Sequence, residues 1–114
     1  MKKTNNLKGE SIMKIKSYDE MIWINGKQER SAETSYIFSN GYIIRKCIAG
    51  AYKDLTPVRL EKKIKMRLSQ RFDNHTSLIA DFKSVDEALS YLKDKLNINL
   101  KEDVITKITK KERA

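Results

Sequence analysis

The chain has 114 residues, in which 24 lysines and arginines face 15 aspartates and glutamates; the net charge of +9 favours polyanionic partners and argues against mimicry of a nucleic acid. A lone cysteine, Cys47, and a lone histidine, His75, exclude an intrachain disulfide and leave too few ligands for a zinc site of the Cys/His kind. No run nears the ~18 apolar residues of a membrane span, and the opening MKKTNNLKGES lacks the apolar core of a signal peptide, so a single cytoplasmic domain held by packing is expected.

Residues 1–13 are polar and read as a flexible tail. Within them Lys8-Gly9-Glu10 can be encoded as a ribosome-binding sequence just upstream of Met13, which makes Met13 an alternative natural start. The N-terminal peptide of the native protein decides between the two. One α+β domain is expected over residues 14–109, followed by a frayed basic end at 110–114.

Strand patterns fill the first half. Met21-Ile22-Trp23-Ile24 is a β-favouring run that ends at Asn25-Gly26, the dipeptide suited to a type I′ hairpin turn because both positions need positive φ. The polar return, residues 27–34, reads as an exposed edge strand. A second hairpin is expected from residues 35–38 through Ser39-Asn40-Gly41 to residues 42–48, giving four antiparallel strands. In the last of these Tyr42, Ile44, Lys46 and Ile48 share one face, and Ile43, Arg45, Cys47 and Ala49 the other. Tyr18, Trp23, Tyr36, Phe38, Tyr42 and Tyr52 also lie in this half. Beside Arg45 and Lys46 they offer a base-stacking surface, the alternative being ordinary core and cross-strand pairs.

Residues 56–72, TPVRLEKKIKMRLSQRF, are the most basic stretch, with Arg59, Lys62, Lys63, Lys65, Arg67 and Arg71 against Glu61 alone. Thr56 suits an N-cap and Pro57 a first helical position, so a helix is expected. At 100° per residue Leu60, Ile64, Leu68 and Phe72 form its packed side. Arg59, Lys62, Lys63, Met66, Arg67 and Gln70 lie on the opposite arc, where Arg59 to Arg67 span about 140°. Glu61 is expected to benefit from the helix N-terminus or to pair with Lys65.

After a polar turn at residues 73–76, a strand is expected at residues 77–82 with Leu78, Ala80 and Phe82 on one face. Ser84 and Glu87 then form a capping box that opens an amphipathic helix over residues 85–96, with Val85, Ala88, Leu89, Leu92 and Leu96 facing the core. Asn99 and Glu102 repeat the capping pattern ahead of a short last helix carrying Val104, Ile105 and Ile108.

Chemistry is sparse. The glycines are scattered at Gly9, Gly26, Gly41 and Gly50, so no phosphate-cradling loop is present. Cys47 and His75 are the one conceivable nucleophile and base, and nothing local supports that pairing. The expected fold is therefore α+β, with antiparallel hairpins of about four to five strands packed against two amphipathic helices and a short C-terminal helix. The expected function is non-enzymatic and without a cofactor: a small DNA- or RNA-binding accessory protein, of the kind phages and plasmids encode. Arg59, Lys62, Lys63, Arg67, Gln70 and Arg71, supported by Arg45 and Lys46, would contact phosphates and base edges. The alternative is an inhibitor or adaptor of the anti-CRISPR kind, directed at a host or defence protein or a ribonucleoprotein.

Overall fold

A computed structural model describes residues 13–50, 53–68 and 71–113, of which 65–68 and 71–74 are described by their backbone alone. The chain first reverses at Asn25-Gly26, where φ values of 51° and 76° put both residues in the left-handed region that a tight hairpin requires. The flanking strands are long, β1 (Met13–Ile24) and β2 (Lys27–Phe38), and pair in continuous register from Met13↔Phe38 to Ile24↔Lys27. The second reversal uses Gly41 at φ 93°, and the Asn40 side-chain oxygen accepts a hydrogen bond from the Tyr42 N–H at 3.2 Å. There follow β3 (Tyr42–Ala49), β4 (Val58–Leu68) and β5 (Arg71–Phe82), then α1 (Val85–Asp94) and α2 (Glu102–Arg113). Every strand pairs with its sequence neighbour, so the sheet is an antiparallel meander in the order β1-β2-β3-β4-β5.

This architecture corrects the expected one. Hairpins packed against two amphipathic helices, with a third short helix at the end, are replaced by one five-stranded sheet and two helices. The basic stretch is the element that moves: Val58–Leu68 form β4, and Arg71 and Phe72 open β5, where a helix was expected. Pro57 precedes the first strand residue, where it costs the ladder no donor, and its carbonyl accepts the Cys47 N–H at 2.7 Å. The polar residues 73–76 belong to β5 and form no turn, and the two separate arms expected over residues 27–38 are the single strand β2.

Both helices lie on one face of the sheet. The core joins Tyr36 and Phe38 of β2, Ile44 of β3, and Val58 and Leu60 of β4 to Val85, Ala88 and Leu92 of α1 and Val104 and Ile108 of α2. Of the two faces foreseen for β3, it is the one bearing Tyr42, Ile44 and Lys46 that meets the helices. Ala80 and Phe82 also face them, but a bulge leaves Ile79 without a partner and turns Leu78 away, 56% exposed. Ser84 caps α1 as expected, accepting the Glu87 N–H at 3.2 Å. The helix ends at Asp94, two residues short of the expected limit, where Asn97 adopts φ 55° and the Ile98 N–H reaches the Leu92 carbonyl at 2.8 Å. Helix α2 begins at Glu102, so Asn99 lies outside its cap. Among the described residues no helix is long and apolar enough to cross a membrane.

Unequal strand lengths shape the molecule. Strand β3 pairs only with Ala32 to Ile37 of β2 and with Val58 to Lys62 of β4. Beyond it β1–β2 continues at one end for ~17 Å, and β4–β5 at the other for ~20 Å, at ~3.4 Å per residue. The two ribbons project from opposite ends of the sheet, and the molecule with its ribbons measures 61 × 44 × 24 Å.

Candidate functional site

The helix-free face of the sheet carries two features: an ionic cluster at its centre and a basic track along the β4–β5 ribbon. Register sets the cluster. Arg45 on β3 stands opposite Arg59 on β4, and Glu61 stands opposite Ile43 one same-face position along. The Arg45 Nε donates to Glu61 at 2.9 Å and its Nη1 to Glu33 of β2 at 3.1 Å, while the Arg59 guanidinium lies 3.7 Å from Glu61 and 4.0 Å from Glu33. Two guanidinium groups thus neutralise two carboxylates. The Glu61 side chain is only 7% exposed, less than that of either arginine. Burial works against the charge on Arg45, but hydrogen bonds and Coulomb attraction from Glu61 and then Glu33 outweigh it and raise the guanidinium pKa above its ordinary value. A cavity of about 270 Å³ adjoins the cluster, walled by Tyr18, Ile22 and Ile24 of the β1–β2 ribbon. It falls below the ~300 Å³ at which small-molecule pockets begin, and its charged groups already satisfy one another.

The second feature is the ribbon. Residues 62–76 hold Lys62, Lys63, Lys65, Arg67 and Arg71 against one carboxylate, Asp73. Strand alternation places Lys63, Lys65 and Arg67 on the helix-free face, ~6.8 Å apart. Lys62, Ile64, Met66 and Leu68 occupy the other face. Across the ladder Thr76, Asn74 and Phe72 stand opposite the three basic residues, and Arg71 stands opposite Leu68. Lys63 is exposed, and its N–H is fixed by the Gly41 carbonyl at 2.8 Å, so the root of the ribbon is tied to the turn before β3.

The residues expected to form one basic surface are therefore divided. Arg45 and Arg59 belong to the ionic cluster. Lys46 is on the helix side, where its ammonium pairs with Glu112 of α2, and Glu112 also accepts the hydrogen bond of the buried Tyr36 hydroxyl. Burial first, and then that hydrogen bond, push the Tyr36 phenol well above its ordinary pKa. Lys62 shares the helix side and sits 4.4 Å above the Tyr42 ring. Lys63 and Arg67 stay together on the ribbon, joined by Lys65, which the helical reading left off the basic face. Arg71 lies on the opposite ribbon face, and Gln70 lies outside the described residues. Glu61 pairs with Arg45 and not with Lys65. Register also explains why sequence reasoning missed the cluster, since Glu33, Arg45 and Glu61 meet only across three strands.

Of the aromatic residues, Tyr36 and Phe38 are core, Tyr42 is half-buried beneath Lys62, and Trp23 is 72% exposed at the end of β1. Tyr52 lies outside the described residues. Cys47 and His75 are not brought together. Cys47 is level with Pro57 and His75 is paired with Ile64, about seven residues along β4 and so ~24 Å apart. Among the described residues no group of histidine, cysteine and carboxylate side chains is placed to hold a metal ion. No family model, curated protein or solved structure matches the chain.

Proposed function

We propose that the protein is a non-enzymatic nucleic-acid-binding factor whose working part is the β4–β5 ribbon. The observation that carries this reading is the concentration of four basic residues, Lys63, Lys65, Arg67 and Arg71, against Asp73 alone, on a two-stranded projection ~20 Å long. Successive like charges along one strand repel one another, a cost that a bound polyanion removes. A two-stranded ribbon also fits the ~12 Å width of a duplex major groove, where arginine and lysine reach base edges and phosphates together. In this reading Lys63, Lys65 and Arg67 follow one phosphate backbone, and Arg71 on the reverse face reaches the other wall of the groove. The ionic cluster is a brace: by neutralising Arg45 and Arg59 internally it holds the sheet at the ribbon's root and leaves the ribbon to make the contacts.

Titration of fluorescently labelled duplex DNA, single-stranded DNA and RNA at low salt tests the proposal. Micromolar or tighter binding to at least one of the three, weakening steeply with salt, is the expected result. Absence of binding to all three at low ionic strength overturns it. The same ribbon suits the RNA of a ribonucleoprotein, so an inhibitor or adaptor acting on such a target would register in the RNA titration.

A further inference from the structure

On the helix-free face the two strands of the β4–β5 ribbon differ in kind. Past Lys62, the last β4 residue paired with β3, strand β4 places Lys63, Lys65 and Arg67 on that face, and β5 places Thr76, Asn74 and Phe72 opposite them. One strand offers only cations there and the other only uncharged residues, ~5 Å away. The charged residues of this part of β5, Arg71 and Asp73, fall on the reverse face with His75. Thr76 is exposed, and Phe72 stands five residues from Ser77, the partner of Lys62, and so ~17 Å out along the ribbon. Both helices lie on the other face of the sheet, so the core does not call for an aromatic residue at that position.

We propose that this row of β5 is the base-reading side of the ribbon and that it selects A·T pairs in the major groove of duplex DNA. The inference rests on the nucleic-acid reading of the ribbon and carries it from the phosphates to the bases. With Lys63, Lys65 and Arg67 on one phosphate backbone, the neighbouring strand lies one strand spacing further into the groove, over the base edges. Each residue type in the row has a defined partner there. An asparagine amide pairs with adenine in both directions, donating to N7 and accepting from the N6 amino group, whereas guanine presents acceptors at both places. Asn74, at the centre of the row, is therefore the adenine reader. A phenylalanine packs on the thymine C5-methyl group, which cytosine lacks, and Phe72 takes that contact. The Thr76 hydroxyl bonds any base edge and adds no preference. Same-face residues recur every ~6.8 Å and stacked base pairs every ~3.4 Å, so Asn74 and Phe72 meet pairs about two steps apart. The same chemistry favours DNA over duplex RNA, whose major groove side chains cannot read and whose uracil has no methyl group.

Labelled duplexes of equal length, titrated at one low salt concentration, test this: alternating A·T, the same duplex with deoxyuridine for thymidine, alternating G·C, and the A·U duplex in RNA. The wild type should bind the A·T duplex roughly tenfold more tightly than the G·C or RNA duplex, and the deoxyuridine duplex about threefold more weakly than A·T. Asn74→Ala should remove most of the preference for A·T over G·C while leaving the G·C affinity and the salt slope unchanged, which also shows that the ribbon still folds. Phe72→Ala should abolish the deoxyuridine effect, its native fold checked by far-UV circular dichroism. Equal wild-type affinities for A·T and G·C, RNA bound as tightly as A·T DNA, or an Asn74→Ala variant that keeps the full preference each overturn the inference and leave the phosphate contacts standing. Failure to bind any of the duplexes overturns it as well, and the reading beneath it falls only if single strands are not bound either.

Discussion

Replacing Glu61 by glutamine tests the account of the sheet face. In the structure this carboxylate is 7% exposed, accepts the Arg45 Nε at 2.9 Å and lies 3.7 Å from Arg59. Its neutralisation leaves two half-buried guanidinium groups sharing Glu33 alone. Removing one partner of a fully buried pair costs ~3–5 kcal/mol. Here the arginine side chains are 29% and 34% exposed, so water screens part of the uncompensated charge, and about 2 kcal/mol is expected. For a chain of this size that loss lowers the unfolding midpoint by roughly 8 °C. Thermal and urea unfolding of Glu61→Gln, monitored by far-UV circular dichroism, measure it directly. Adding Arg59→Met to Glu61→Gln should recover part of the loss by removing the orphaned charge. A change below about 0.5 kcal/mol, the value for an exposed glutamate with no buried partner, would refute the reasoning.

Other consequences follow from the strand geometry. Leu60 is fully buried and Ile64 is 39% exposed, so Leu60→Ala should cost about 3 kcal/mol and Ile64→Ala under about 1 kcal/mol by urea denaturation. Equal losses would restore the helical stripe on which the two are equivalent. Tyr36→Phe removes the hydroxyl that donates to Glu112, while Lys46 still holds that carboxylate, so a loss of about 1–2 kcal/mol is expected in the same assay. Because the folded-state phenol is raised above its ordinary value of 10.0, this tyrosine's contribution is complete below that pH and declines as pH rises toward the folded-state value; stability of the wild type should therefore fall above about pH 10 more steeply than that of Tyr36→Phe.

The parts of the fold that were legible in the sequence rest on local signals. Asn25-Gly26 demands positive φ, and Ser84 with the Val85, Ala88, Leu92 spacing specifies a capped helix whatever surrounds it. Residues 56–72 carried an ambiguous signal. Leu60, Ile64 and Leu68 are four residues apart, and an interval of four is same-sided in a strand as well as in a helix. The interval that separates the two is three, and three residues beyond each of these leucine and isoleucine positions stands Lys63, Arg67 or Arg71. Val58 and Met66, left outside the helical stripe, complete an alternation that runs from Val58 to Leu68 with Lys62 as its single exception. Thr56-Pro57 suits a strand entrance as well as a helix start. The division of the basic residues was not legible at all, because it depends on which strands become neighbours. Glu33, Arg45 and Glu61 are separated by 12 and 16 residues and meet through register. Glu112 reaches Tyr36 and Lys46 only because α2 folds back over the sheet.

The central claim is that Lys63, Lys65 and Arg67 form one phosphate-contacting track on the ribbon. Its most direct test is the salt dependence of nucleic-acid affinity for the wild type and for the triple alanine variant at these positions. If all three contact duplex phosphates, the slope of log K against log salt should shrink by about 2.7, at ~0.9 per lost contact, while Arg45→Ala and Arg59→Ala leave the slope unchanged. An unchanged slope in the triple variant, with Arg45→Ala or Arg59→Ala reducing it instead, would contradict the account.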